Sequence, residues 1–207
     1  MVRILLVIVA LLLSIQMALA KSITLLALGD SLTSGLGLEA NEAFPVKLEA
    51  ALQSRYHGLK IINGGISGDT AADGLARLDW ALTEDVGGLI VELGANDALR
   101  GLDVSQTEMA LNAIMVKAQQ KNLPVLILGM KAPPNMGPDY VARFDSLYLR
   151  LAEKYQVLLY PFYLEGVAAD AGLNQADGIH PNGQGVDVIV SKVMPKVEEL
   201  IGKVRLK

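Results

Sequence analysis

A chain of 207 residues that is 52% hydrophobic, with 20 Gly and 8 Pro and no low-complexity tract, has the size and make-up of one globular domain rather than a disordered segment. Its 22 acidic and 18 basic side chains include no Lys/Arg cluster interleaved with aromatics, which excludes the electrostatic footprint of a nucleic-acid binder and favours a small neutral or apolar substrate. With no cysteine and only His57 and His180, disulfides, thiolate chemistry and the usual metal-ligand spacings are excluded, so neither a metal nor a cofactor is expected.

At the start of the chain, Arg3 precedes an apolar run from Ile4 to Leu13, and Ala18-Leu19-Ala20 has the small-residue pattern of a cleavage site. Residues 1–20 are read as a cleaved secretory signal peptide and residues 21–207 as the mature single domain, periplasmic or secreted. Ser14 and Gln16 interrupt the run before the roughly 20 apolar residues that a spanning helix needs. No cysteine follows to carry a lipid, so no stable membrane anchor is expected after cleavage.

Beyond the leader, short apolar runs at 23–28, 59–63, 89–93, 125–128 and 157–160 predict buried strands. Between them, 44–56, 70–82, 104–121 and 139–155 carry helical spacing, and a last helix is expected over 182–201. Strand and helix in alternation imply right-handed crossovers. The predicted architecture is therefore α/β: a three-layer α/β/α sandwich around a five-stranded parallel sheet in flavodoxin-like order.

In such a sheet ligands bind beyond the carboxyl ends of the strands. The segments expected there are Gly29-Asp30-Ser31-Leu32, Gly64 to Asp69, Gly94-Ala95-Asn96-Asp97 and Asp177 to Asn182. They contain the parts of an acyl-transfer site. Ser31 is the candidate nucleophile, His180 the general base and then acid, and Asp177, three residues earlier on the same loop, the carboxylate that orients His180. Backbone N–H groups of Ser31 and Gly68 and the side-chain amide of Asn96 are the candidate oxyanion donors.

Taken singly, each of these residues has a blander explanation. Ser31 could cap a helix, Asp69 and Asp97 are read chiefly as caps of the helices that follow them, Asn96 could be a turn residue, and His180-Pro181-Asn182 could simply begin a helix. His57 is read as a structural residue at a helix end, and Trp80 and Phe44 as core. What the single explanations leave unexplained is why serine, glycine, amide and Asp-His pair fall on one edge of one sheet.

Gly29-Asp30-Ser31-Leu32, with Gly68, Asn96 and Asp177-x-x-His180, resembles the motif set of the SGNH or GDSL-type esterases, most of all their bacterial arylesterase, thioesterase I and lysophospholipase branch. The likeness runs from about Ile23 to the last helix. It implies hydrolysis of carboxylic esters, thioesters or lysophospholipids through an acyl-Ser31 intermediate, with Ser31, Gly68, Asn96 and His180 as the four residues of the SGNH name. It also implies that Met130, Pro133, Pro134 and Met136, in the segment 129–140, bind substrate. Ala95 departs from the Gly or Thr that relatives often carry before the Asn. Two alternatives stand beside this reading: a carbohydrate acetylesterase on the same triad, and a non-catalytic flavodoxin-like module with a phosphate cradled by Ser31, Thr33, Ser34 and Gly35. No G-x-S-x-G and no Walker A sequence is present.

Overall fold

The computed structural model describes residues 22–205, so the expected signal peptide lies outside the described residues. Five strands form one parallel sheet in the order β2-β1-β3-β4-β5: β1 (Ile23–Gly29), β2 (Leu59–Gly65), β3 (Val86–Glu92), β4 (Val125–Leu128) and β5 (Leu158–Tyr160). This is the flavodoxin-like arrangement expected from the alternation of elements.

The helices are α1 (Ser31–Ser34), α2 (Phe44–Leu52), α3 (Ala71–Ala81), α4 (Ala95–Leu99), α5 (Val104–Gln120), α6 (Pro138–Tyr155) and α7 (Gly183–Arg205). Helices α2 and α7 pack together on one face of the sheet, and α3, α5 and α6 pack side by side on the other. Every residue of β1 is buried, as a strand covered on both faces must be. Among the described residues no helix is long and apolar enough to cross a membrane.

Several expected boundaries shift for identifiable reasons. The third strand begins at Val86 rather than at 89, because Gly87 and Gly88 carry no apolar side chain to signal it; their bareness lets Val204 of α7 lie close against the sheet. Helix α2 stops at Leu52, and a tight turn, closed by Tyr56 N–H donating to the Leu52 carbonyl, returns the chain to β2. His57 therefore sits exposed in that turn and not at a helix end. The last helix is capped by Asn182, whose Oδ1 accepts the N–H groups of Gln184 and Gly185, and continues to Arg205.

The core assignment of Trp80 is wrong, since its side chain is 84% exposed. Helix α3 buries Ala71, Gly74 and Leu78, one stripe at helical spacing, and Trp80 projects from the opposite face. Phe44, by contrast, is fully buried against Tyr163, the two rings meeting edge to face at 5.2 Å. Leu26→Ala, at the buried centre of β1, is expected to lower unfolding free energy by about 2–5 kcal/mol in urea titrations, whereas Trp80→Ala should change it by no more than about 0.5 kcal/mol.

Candidate active site

The site is built where β1, β2 and β3 end at one level. Gly29 pairs with Gly65 on one side and with Glu92 on the other. Gly29 has to be glycine, because a Cβ there would overlap the Thr33 side chain and the Glu92 carboxyl. Immediately after it, the Asp30 carboxylate accepts the Leu32 N–H at 2.9 Å and so caps α1, which carries Ser31 at its first position. Helix α1 is only four residues long and ends in left-handed Gly35, so it presents backbone N–H groups at the site but no macrodipole of consequence.

Ser31 and His180, 149 residues apart in sequence, are hydrogen-bonded at 2.9 Å between Oγ and Nε2. The other ring nitrogen, Nδ1, lies 2.6 Å from Asp177 Oδ2. Asp177 Oδ1 meanwhile accepts the backbone N–H groups of Ile179 and His180 at 2.9 and 3.0 Å, so one short loop fixes both members of the pair. Those bonds, the His180 N–H first among them, hold the Asp177 carboxyl down to about 2. The loop is itself braced: Gln175 N–H donates to the His180 carbonyl at 2.7 Å, and Gln175 Nε2 donates to the Leu36 carbonyl just beyond α1.

The remaining two strand ends supply donors. Gly68 has φ of +89°, a conformation open to glycine, and its carbonyl accepts from Arg100 Nη2 at 2.7 Å. Neither the Gly68 nor the Ser31 N–H has an acceptor among the described residues. Asn96, on α4, donates from Nδ2 to Asp30 Oδ2 and to the Asp69 carbonyl, each at 3.0 Å.

Two aspartates read as caps of following helices act differently. Asp69 pairs with Arg77 at 2.6 Å, and Arg77 also donates to the Gly29 carbonyl, tying the loop after β2 to the end of β1; Thr70 is the cap of α3. Asp97 accepts the Ala71 N–H and the Thr107 hydroxyl, so it secures the starts of two neighbouring helices from inside the core.

Beside Ser31 and His180 opens a cavity of about 190 Å³, walled mainly by Leu32, Leu99, Met130, Pro133, Leu164 and Ile179. Met130 and Pro133 are in that wall, while Pro134 and Met136 are outside it: Pro134 is exposed and Met136 reaches toward Gly101. A phosphate cradle on the first turn is poorly served, since the Thr33 hydroxyl is committed to Glu92 at 2.7 Å and that of Ser34 to the Ser31 carbonyl.

A profile of the GDSL-like lipase/acylhydrolase family matches residues 27–188, a span that includes every strand end described above. The chain belongs to that family. This GDSL-like hydrolase is 39% identical to the esterase TesA of Pseudomonas aeruginosa over 193 residues, 93% of this chain and 95% of that one. It is 37% identical to thioesterase 1/protease 1/lysophospholipase L1 of Escherichia coli K12 over 183 residues, 88% of this chain and 86% of that one. The crystal structure of TesA superimposes with a TM-score of 0.81 at 38% identity, covering 86% of this chain and 99% of its own. That of AlinE4, an SGNH-hydrolase family esterase, does so with a TM-score of 0.73 at 43% identity, covering 86% and 96%.

The sequence reading passed over four side chains at this site. Asp30 is only a letter of a motif, Arg77 an unremarked helix residue, Arg100 an unremarked residue between the Asn96 segment and the next helix, and Glu92 the close of an apparently apolar strand. A single charge ending the run Leu89-Ile90-Val91 was the available signal for the last.

Asp177 lies below the ordinary carboxylate value, so its contribution to stability is complete above about pH 4 and is lost as the pH falls toward 2. Asp177→Asn should therefore lose less stability than wild type between those values, read from denaturation midpoints at a series of pH values.

Proposed function

We propose that this hydrolase is a serine esterase that cleaves carboxylic esters of short to medium acyl chains by way of an acyl-Ser31 intermediate. The observation that carries the reading is the unbroken relay from Ser31 Oγ through both His180 nitrogens to Asp177, set at the mouth of an apolar cavity. His180 Nε2 takes the hydroxyl proton as Ser31 Oγ attacks the ester carbon, and Asp177 keeps the other ring proton on Nδ1 and balances the imidazolium that forms.

The tetrahedral oxyanion is received by the N–H groups of Ser31 and Gly68 and by Asn96. Both N–H bonds of the Asn96 amide have acceptors in the free protein. In this reading the oxyanion takes over the one directed at the Asp69 carbonyl, and Asp30 keeps the amide from turning. Collapse expels the alcohol, which receives its proton from His180. Water then repeats the sequence on the acyl-enzyme and frees the acid. Every proton is returned, and no cofactor takes part.

The cavity is smaller than the roughly 300–1,000 Å³ of drug-sized ligand sites, which suits one acyl arm with the leaving group left at the surface. Its apolar wall favours an alkyl chain over the acetyl group of a decorated sugar. Aryl esters, acyl thioesters and lysophospholipids fit the same description, since they differ on the leaving side. The leader-like residues 1–20 would send the enzyme to the periplasm or the medium, where it would meet such lipid-like substrates.

Ser31→Ala is expected to lower kcat on nitrophenyl esters by more than about 10³-fold and to abolish labelling by a fluorophosphonate; hydrolysis at the wild-type rate would overturn the mechanism. Asp177→Asn should cost roughly 10²–10⁴ in kcat with far-UV circular dichroism unchanged. Leu99→Trp, which narrows the cavity, should move the preferred ester toward shorter acyl chains across an acetyl-to-dodecanoyl series.

A further inference from the structure

Beneath the Ser31 turn two carboxyl groups are buried together: Asp30 has no exposed surface and Glu92 has 1%. Glu92 Oε2 accepts the Thr33 hydroxyl at 2.7 Å and the Asp30 N–H at 3.4 Å, while Oε1 receives no hydrogen bond and is the one such buried side-chain atom among the described residues. The Asp30 N–H bond to Glu92 Oε2 sets these two buried acidic side chains against one another. Each carboxylate oxygen of Asp30 accepts one hydrogen bond, Oδ1 from the Leu32 N–H and Oδ2 from the Asn96 amide, which leaves each a second lone pair.

Two carboxylates buried side by side cannot both be ionised at modest cost, and a buried carboxyl oxygen that accepts nothing is where a proton belongs. We propose that Glu92 is a positioning residue whose neutral carboxyl donates a hydrogen bond to Asp30, fixing the carboxylate that holds the Asn96 amide in place for the oxyanion. This rests on the esterase reading of the site.

Burial, and after it the neighbouring Asp30 charge, pushes the Glu92 carboxyl well above the usual carboxylate range. Burial also pushes Asp30 up to about 6, opposed by its bonds to Leu32, Glu92 and Asn96 and by the charge of His180. The other titratable groups around the pair are the phenols of Tyr148 on α6 and Tyr163 after β5, both pushed well above their ordinary value by burial, and hence neutral. Arg77 of α3 reaches the Gly29 carbonyl but is paired with Asp69, and Asp97 of α4 acts on the same Tyr148. The single proton of the pair therefore stays on Glu92, and Asp30 faces Asn96 as an acceptor.

The test compares Glu92→Gln, which retains one donor and one acceptor in the same shape, with Glu92→Leu, which retains neither. Glu92→Leu is expected to lose at least about tenfold in kcat with little change in KM, short of the roughly 10²–10³ that removal of an oxyanion donor costs. Glu92→Gln should rescue kcat to within about threefold of wild type, and Glu92→Leu should add little further loss in an Asn96→Ala background. An infrared difference spectrum of wild type minus Glu92→Gln at neutral pH should show the carbonyl band of a protonated acid.

Glu92→Gln as damaging as Glu92→Leu, wild-type kcat in Glu92→Leu, or absence of the protonated-acid band would each overturn the proposal. The band is read without substrate. A wild-type protein that hydrolyses no ester but shows the band would sink the esterase reading, and with it the catalytic purpose assigned to Glu92, while leaving the proton on Glu92 established.

Discussion

Three parallel strands that end at one level are the constraint from which the site follows. Because Gly29 is in register with both Gly65 and Glu92, the loops after β1, β2 and β3 leave the sheet side by side and meet within hydrogen-bonding distance. A shift of one residue would reverse the facing of β1, a strand buried along its whole length, and would separate Asp30 from Asn96 as well. Core packing and site geometry are thus enforced by the same pairing. The cost of losing one is the cost of losing the other.

On that frame the polar groups divide the work by depth. Asp177 and His180 form a local unit at the surface, where water reaches Asp177 and its charge is maintained by donated hydrogen bonds. Asp30, Glu92 and Asp97 lie in the core and act on backbone and side-chain donors that would otherwise be unsatisfied there. A carboxyl group buried in apolar surroundings costs stability, and its retention here coincides with the positions that aim Ser31 and Asn96.

The fold was almost wholly legible because strands covered on both faces announce themselves as apolar runs, and β1 and β4 are the clearest of them. Legibility fell where glycine replaced an apolar signal, as at Gly87 and Gly88, and where one face of a helix had to be told from another, as with Trp80. Ser31, Gly68, Asn96 and the Asp177–His180 pair could be picked out because chemistry limits which residue types can serve. Glu92 and Arg77 could not, since their partners belong to distant segments and no spacing rule connects them. The same holds for Asp97, which secures α3, a helix that precedes it in the chain. The family resemblance implies one substrate-binding segment for Met130, Pro133, Pro134 and Met136, but a 3₁₀ turn over Pro134–Met136 follows Pro133, and only Met130 and Pro133 of the four line the cavity.

Gln175 has a mechanical consequence. Its backbone holds the His180 carbonyl and its side chain spans 139 residues of sequence to the carbonyl of Leu36, just past the turn that bears Ser31. The segments that carry Ser31 and His180 are therefore joined by a strut that lies outside the sheet. Loops open at lower free energy than the strands they cap. On warming, activity would fade when this strut lets go, while the five strands below it still stand.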